Sequence, residues 1–237
     1  MRPVLATLAT ALAHAHAAVF AAAASWSGAG AVPPALVAGA LTEQRIELRL
    51  SRDPQLATRV LAHLPAGVAR DVRDDVVAHS ELARLTHPRP LKAFRVGPAK
   101  PAVQLRSWYL EGQRRSGVPW QVLAAVNYVE SDFGRLRNES VSGAQGPMQF
   151  MPSTWRTYGR GDVHDPHQAI LAAARFLRAA GAPRNLRGAL YRYNPAGAYV
   201  DAVERYAARI RREPKTFLVF YARRLIVRTP NGYRRLN

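Results

Sequence analysis

Between Leu41 and Arg212 apolar residues recur three and four apart in run after run, and that period constrains the fold more than any other feature of the chain. The longest example is Leu56, Val60, Leu61, Leu64, Val68, Val72, Val76 and Val77. It builds one apolar face with arginines and aspartates opposite. A strand would need alternation, so the bulk of this chain has to pack helix on helix. Prolines and glycines punctuate the pattern. The reading is helical from Leu41 to about Thr86, and an extended connector from His87 to Pro101 with its four prolines. Helix returns over Val103 to Gln113 and from Pro119 to about Glu130. Asp165-Pro166-His167-Gln168 has the layout of a capping box opening a helix to Ala180. Asn185 is placed to cap a short helix through Tyr191, and a last helix runs from about Ala196 to Arg212. From Thr216 the texture changes. Phe217 to Val227 is rich in β-branched and aromatic residues, and Pro230-Asn231-Gly232 is a turn signal, so a small β-hairpin or tail is expected.

Ahead of the helices, Pro3 to Ala24 carries no Asp, Glu, Lys or Arg and is rich in alanine, leucine and valine. With small residues after it, this reads as a secretory signal peptide or an uncleaved N-terminal anchor within residues 1–31. His14 and His16 are unusual in either. Ala31 to Ala40, with Val32-Pro33-Pro34, reads as a linker. Composition adds two constraints. Hydrophobic residues at 48% suffice for a real core, and 34 Lys+Arg against 16 Asp+Glu leave +18. Such a surface attracts a polyanion, and charge alone does not choose among nucleic acid, anionic lipid and an acidic cell wall. The absence of cysteine excludes disulfides, thiolate metal sites and a lipid-modified N-terminal Cys.

Chemistry enters at Val129-Glu130-Ser131-Asp132-Phe133-Gly134. Glu130 follows Leu123 by seven residues and Val126 by four, so it shares the apolar face of its helix. A carboxylate there loses solvation, its pKa rises, and it becomes suited to protonating a glycosidic oxygen near neutral pH. A glutamate at a frayed helix end, bridged to an arginine, is the better account of this segment taken alone. The next segment is harder to explain structurally. Ser142 to Trp155 fits neither an amphipathic helix nor a strand, and two glycines and a proline let its backbone approach a ligand. Gln149 offers an amide, Met148 and Phe150 an apolar wall, and Trp155 a face for a sugar ring. Tyr193-Asn194 puts a phenol and an amide at a helix break.

Together VESDFG (Val129 to Gly134), GAQGPMQFMPSTW (Gly143 to Trp155) and the Tyr193-Asn194 pair resemble, in order, the lytic transglycosylases with a soluble-transglycosylase (SLT) lysozyme-like domain, closest to a secreted actinobacterial branch. The likeness covers about Val103 to Ile210. It implies a lysozyme-like helical catalytic domain over 101–212, and with the N-terminal helical subdomain and connector read over 41–100 and the β tail over 213–237 the expected fold is mainly α. It implies Glu130 as the single catalytic residue, with Ser131, Gly146, Met148, Gln149, Phe150, Tyr193 and Asn194 at the substrate, Tyr193 orienting the glutamate. The implied reaction breaks the β-1,4 bond between N-acetylmuramic acid and N-acetylglucosamine and closes a 1,6-anhydro ring, with no cofactor or metal. Arg192 and Pro147 depart from the usual pattern without touching the chemistry.

Other candidates are weaker. Asp132 would point away if the helix continued, and Glu139 lies in a following loop. His164 and His167 have H-x-x-H spacing but read as solvated, and Arg160-Gly161-Asp162-Val163 has too few oxygens for calcium. Trp108 and Trp120 read as core. The expected partners are peptidoglycan glycan strands and, by charge, anionic wall polymers. Nucleic acid is not expected, and nothing implies a stable oligomer. The expected location is the cell wall or exterior. A muramidase of the same fold, and a non-catalytic binder of wall or polyanion, remain as alternatives.

Overall fold

A computed structural model describes residues 2–236. Eleven helices and one hairpin are seen among them: α1 (Arg2–Ala24), α2 (Pro34–Leu50), α3 (Pro54–Leu61), α4 (Ala66–Leu85), α5 (Ala102–Ser116), α6 (Trp120–Ser131), α7 (Pro152–Tyr158), α8 (Pro166–Ala179), α9 (Leu186–Tyr193), α10 (Gly197–Arg212), α11 (Thr216–Ala222), β1 (Ile226–Thr229) and β2 (Gly232–Arg235). The fold is mainly α, as its periodicity requires. The start signals act locally as their chemistry dictates. Asp165 accepts from the Gln168 amide at 2.8 Å to cap α8, and Asn185 accepts from Gly188 at 3.0 Å to cap α9. Gly117, in the left-handed region at φ 77°, ends α5.

Two expectations need correction. The Pro33-Pro34 stretch is no linker: Pro34 opens α2, where proline's fixed φ suits the first helical turn, and Leu36 and Ala40 are fully buried. Phe217 to Val227 is mostly not strand. Thr216–Ala222 is helix, and its β-favouring residues sit there because Phe217, Val219, Phe220 and Tyr221 are all buried. Burial on every side erases the period that separates a short helix from a strand. The hairpin begins after it, with Thr229 opposite Gly232 across a two-residue turn at Pro230-Asn231.

The apolar N-terminal segment forms α1, which lies against α2. Leu12 and Val19 are fully buried, and His16 Nδ1 stands 2.8 Å from the buried Glu43 carboxylate. The approach is close enough that a Cβ on Gly39 of α2 would come within 2.6 Å of Val19. The main core is continuous from α1 and α2 (Val19, Leu36, Ala40) through α5, α6 and α8 to α10 and α11. A smaller cluster joins α1, α3 and α4 through Leu12, Val60 and Val72.

Between α2, α4, α10 and the end of α11 lies a buried charge cluster. Arg223 bonds Glu47 at 2.8 Å and Asp75 at 2.6 Å, and Arg209 also bonds Asp75. Burial raises the Glu47 pKa well above the usual carboxylate range, Arg223 opposing. For Asp75 burial pushes the same way, but Arg209 and Arg223 together hold it below that range. Around it Arg205 pairs with Asp74 at 3.0 Å, and Arg212 with Asp71 and Asp74 at 2.7 and 2.6 Å. These pairs join α10 to α4.

Candidate active site

α6 positions the site. Its apolar residues Val122, Leu123 and Val126 are buried, and the same face carries Asn127, Glu130 and Ser131 at the C-terminal end. Asn127 is the hub. It accepts the Tyr109 hydroxyl at 2.6 Å and donates from Nδ2 to the Pro147 carbonyl at 2.9 Å. The Ser131 hydroxyl donates to the same carbonyl at 2.6 Å and accepts from the Gly134 amide at 2.9 Å. One carbonyl thus ties the end of α6 to the following loop. Asp132 ends the helix in the left-handed conformation at φ 50° and ψ 57°.

The loop is a four-residue turn closed by reciprocal bonds between Gln145 and Phe150 at 2.9 and 2.8 Å. Gly146 is required at its corner, since a Cβ there would lie 2.0 Å from the Val163 carbonyl oxygen and φ is +74°. Gln149, also at positive φ (49°), turns its amide inward to the carbonyls of Gly146 at 2.9 Å and Asn138 at 3.1 Å. Tyr193 donates to the Met148 carbonyl at 2.6 Å and stacks edge-on against Phe150, which Trp155 flanks.

Glu130 is half-buried. Loss of solvation lifts its pKa to about 7, and the Tyr199 hydroxyl partly opposes the rise by hydrogen bonding. That hydroxyl is buried and stands close to the carboxyl without a well-aligned bond to any group among the described residues. Tyr193 is near enough for the Glu130 charge, added to its own burial, to raise its pKa. Asp132 is buried and pushed up to about 6 by desolvation, with Arg135 holding it down from 3.4 Å.

A cavity of about 340 Å³ opens beside Glu130. Its far walls are α4 (His79, Leu82, Thr86), the connector (Arg89, Phe94) and the hairpin (Val227, Arg228, Tyr233). Of the expected substrate residues, only Ser131 joins Glu130 in this lining; Met148, Gln149, Tyr193 and Asn194 do not. Ser131, Met148 and Phe150 are 2%, 0% and 2% exposed. Their packing and hydrogen bonds fix the turn. Gly146 contributes backbone, and Asn194 ends α9 half-buried.

Asp132 does not point away, because the helix stops there; it lines the same cavity as Glu130. Glu139 is exposed and meets Gln145 at 3.4 Å. His167 stacks on Trp108 at 5.2 Å and meets Glu111 at 2.8 Å, while Trp120 is buried in the core. Sequence reasoning missed Asn127, Tyr199 and the cavity's far walls. A signal existed for the first two: Asn127 interrupts an apolar helix face, and Tyr199, Val203, Tyr206 and Ile210 form the buried stripe of α10.

Residues 108–213 match the transglycosylase SLT domain family. The chain is 37% identical over 73 residues to a membrane-bound lytic murein transglycosylase F of Thiobacillus denitrificans, covering 31% of this chain and 15% of that protein. It is 32% identical over 74 residues to a protein of the same name from Methylobacillus flagellatus, covering 31% and 16% respectively. The likeness therefore spans about a sixth of those relatives' length. No solved structure matches the chain. The match to the transglycosylase SLT domain family is thus one of residues 108–213, a little under half of the chain.

Proposed function

We propose that the chain is a peptidoglycan lytic transglycosylase in which Glu130 serves first as acid and then as base. The supporting observation is a half-buried carboxyl, poised near pH 7 by desolvation, at the rim of a cavity and on a segment that matches the SLT domain family. In the first step protonated Glu130 gives its proton to the oxygen linking N-acetylmuramic acid to the next sugar, and the bond from that oxygen to the muramic C1 breaks. The muramic N-acetyl oxygen supports the electron-poor C1. In the second step the Glu130 carboxylate takes the proton of the muramic 6-hydroxyl, whose oxygen closes on C1 as a 1,6-anhydro ring. The glutamate ends protonated, and neither metal nor cofactor is required. On this reading Tyr199 and Tyr193 position the carboxyl, and Gln149, Asn194 and the Gly146 backbone flank the strand.

A muramidase reaction is the second reading, favoured by Asp132 lining the same cavity, where it could assist a water. Its pairing with Arg135 argues against that role. The +18 charge supports anionic wall polymers as a further partner, an attraction that salt screens. α1 is long and apolar enough over Leu5–Ala24 to cross a membrane, which supports export or an N-terminal membrane anchor.

The test is digestion of purified peptidoglycan by wild type and Glu130→Gln, with the fragments identified by mass spectrometry. Anhydro-muramyl ends are expected from wild type, and release at least about 100-fold slower from the variant. Reducing ends would establish the muramidase. Equal digestion by the variant would remove Glu130 from the chemistry.

A further inference from the structure

The cavity beside Glu130 has a chemical character that the reaction itself does not use. Most of its wall lies outside residues 108–213, on α4, the connector and the hairpin, and that wall is largely apolar with three arginines set into it. Arg89, Arg224 and Arg228 line it, and none of the three has a carboxylate partner among the described residues, unlike the arginines of α10. The Arg89 and Arg228 guanidinium groups are held in place, and Arg224 is held by its backbone. The Arg89 guanidinium lies 5.8 Å over the Phe94 ring. Arg228 reaches the Ala83 and Thr86 carbonyls at 3.2 and 3.1 Å with one terminal nitrogen. The Arg224 backbone is clamped on both sides by the Gln44 amide at 3.2 and 2.8 Å.

The carboxyl groups facing the cavity do not neutralise this wall. Asp132 is engaged by Arg135, and Glu130 is kept substantially protonated near neutral pH by its burial. A volume of about 340 Å³ sits at the low end of the range of about 300–1,000 Å³ in which small-molecule sites fall. That is room for a sugar substituent or a few peptide units. Held guanidinium groups without acidic partners favour a carboxylate ligand over a neutral one.

We infer that this cavity is a subsite for the carboxylate-bearing stem peptide carried by the muramic sugar next to Glu130, read by Arg224 and Arg228. The inference rests on the proposed function for the identity of the strand, and it extends the substrate contact to segments that the SLT domain does not include. It also gives α4 and the hairpin a part in recognition.

The test is a binding measurement on the full chain carrying Glu130→Gln. Isothermal titration at low salt compares a disaccharide-tetrapeptide with free stem carboxylates and the same ligand with those carboxylates amidated. Amidation is expected to weaken binding about fivefold. Adding Arg224→Gln, or in a separate chain Arg228→Gln, is expected to bring that ratio close to one. Arg224→Gln leaves the backbone clamp to Gln44 in place, so its result does not depend on the hairpin staying seated. Equal affinity for the two ligands, or a difference that both arginine variants keep, overturns the subsite. Because nothing is cut in this experiment, it is separable from the reaction. Charge-dependent binding by a protein whose wild type releases no fragments would refute the lytic activity and leave the subsite standing.

Discussion

At the scale of single residues the proposed reaction turns on how firmly Glu130 holds its proton. Its acid form is the one that protonates a leaving oxygen, and with the pKa at about 7 that form is lost as pH rises past neutrality. The rate should therefore be high below that point and fall about tenfold per pH unit above it. Tyr199 sets the position of that limb. Its hydroxyl stabilises the ionised carboxylate and so lowers the pKa that burial has raised. Tyr199→Phe is then expected to carry the alkaline limb of kcat/KM to higher pH, while kcat drops about fivefold through the loss of the hydroxyl beside the carboxyl. A limb that stays put, or moves to lower pH, would show that the phenol does not bear on the proton of Glu130. The desolvation of Glu130 was legible in the sequence because its own helix supplies the apolar face. Tyr199 was not, because the contact depends on how α10 crosses α6, and local spacing says only that the ring is buried. The turn at Gly146 to Gln149 was legible as something other than packing. Yet its side chains face inward, since Met148 and Phe150 are apolar and the Gln149 amide satisfies two carbonyls that the turn leaves open.

Among the elements, α4 and α10 are joined by charge as much as by apolar packing, and the joint lies deep enough to be costly when broken. Asp75 is fully buried between Arg209 and Arg223. Asp75→Asn leaves Arg223 with Glu47 alone and Arg209 with only the longer Asp71 pair at 3.8 Å, and removing one partner from such a cluster costs about 3–5 kcal/mol. Urea denaturation should show a lower midpoint of that size with an unchanged slope, and a loss below about 1 kcal/mol would mean that the cluster is well solvated. The sequence offered no sign of this joint. The arginines of α10 read as a complement to the helix dipole and the aspartates of α4 as its solvated face, because each helix seen alone has no knowledge of its partner. The same blindness accounts for α11, whose residues favour strand until burial on all sides decides the matter. Where a signal was local and chemical, as at Asp165, Asn185 and the Pro230-Asn231 turn, the structure follows it.

For the molecule as a whole, the question is whether the helices before Ala102 and the chain after Arg212 are additions to an SLT domain or part of one folding unit. The SLT match ends at residue 213, but the core does not respect that limit: Leu36, Ala40 and Ala78 sit in the same cluster as Leu105, Val203 and Phe217. The charge cluster crosses the limit on both sides, through Glu47 and Asp75 before it and Arg223 after it. The cavity beside Glu130 does so as well. A segment whose apolar face and ion pairs are both completed by its neighbours has no separate stability to lose. The full chain is therefore expected to unfold in a single cooperative transition, with the calorimetric enthalpy equal to the van't Hoff value and with tryptophan fluorescence and far-UV circular dichroism changing together. Trp26 precedes the SLT match and Trp155 lies inside it, so single-tryptophan chains retaining one or the other report on the two parts separately. Coincident midpoints would establish one unit, in which the N-terminal helices hold the wall of the active-site cavity by the same contacts that hold the fold. An earlier transition at Trp26 would instead make them a separable cover over an SLT domain that stands without them.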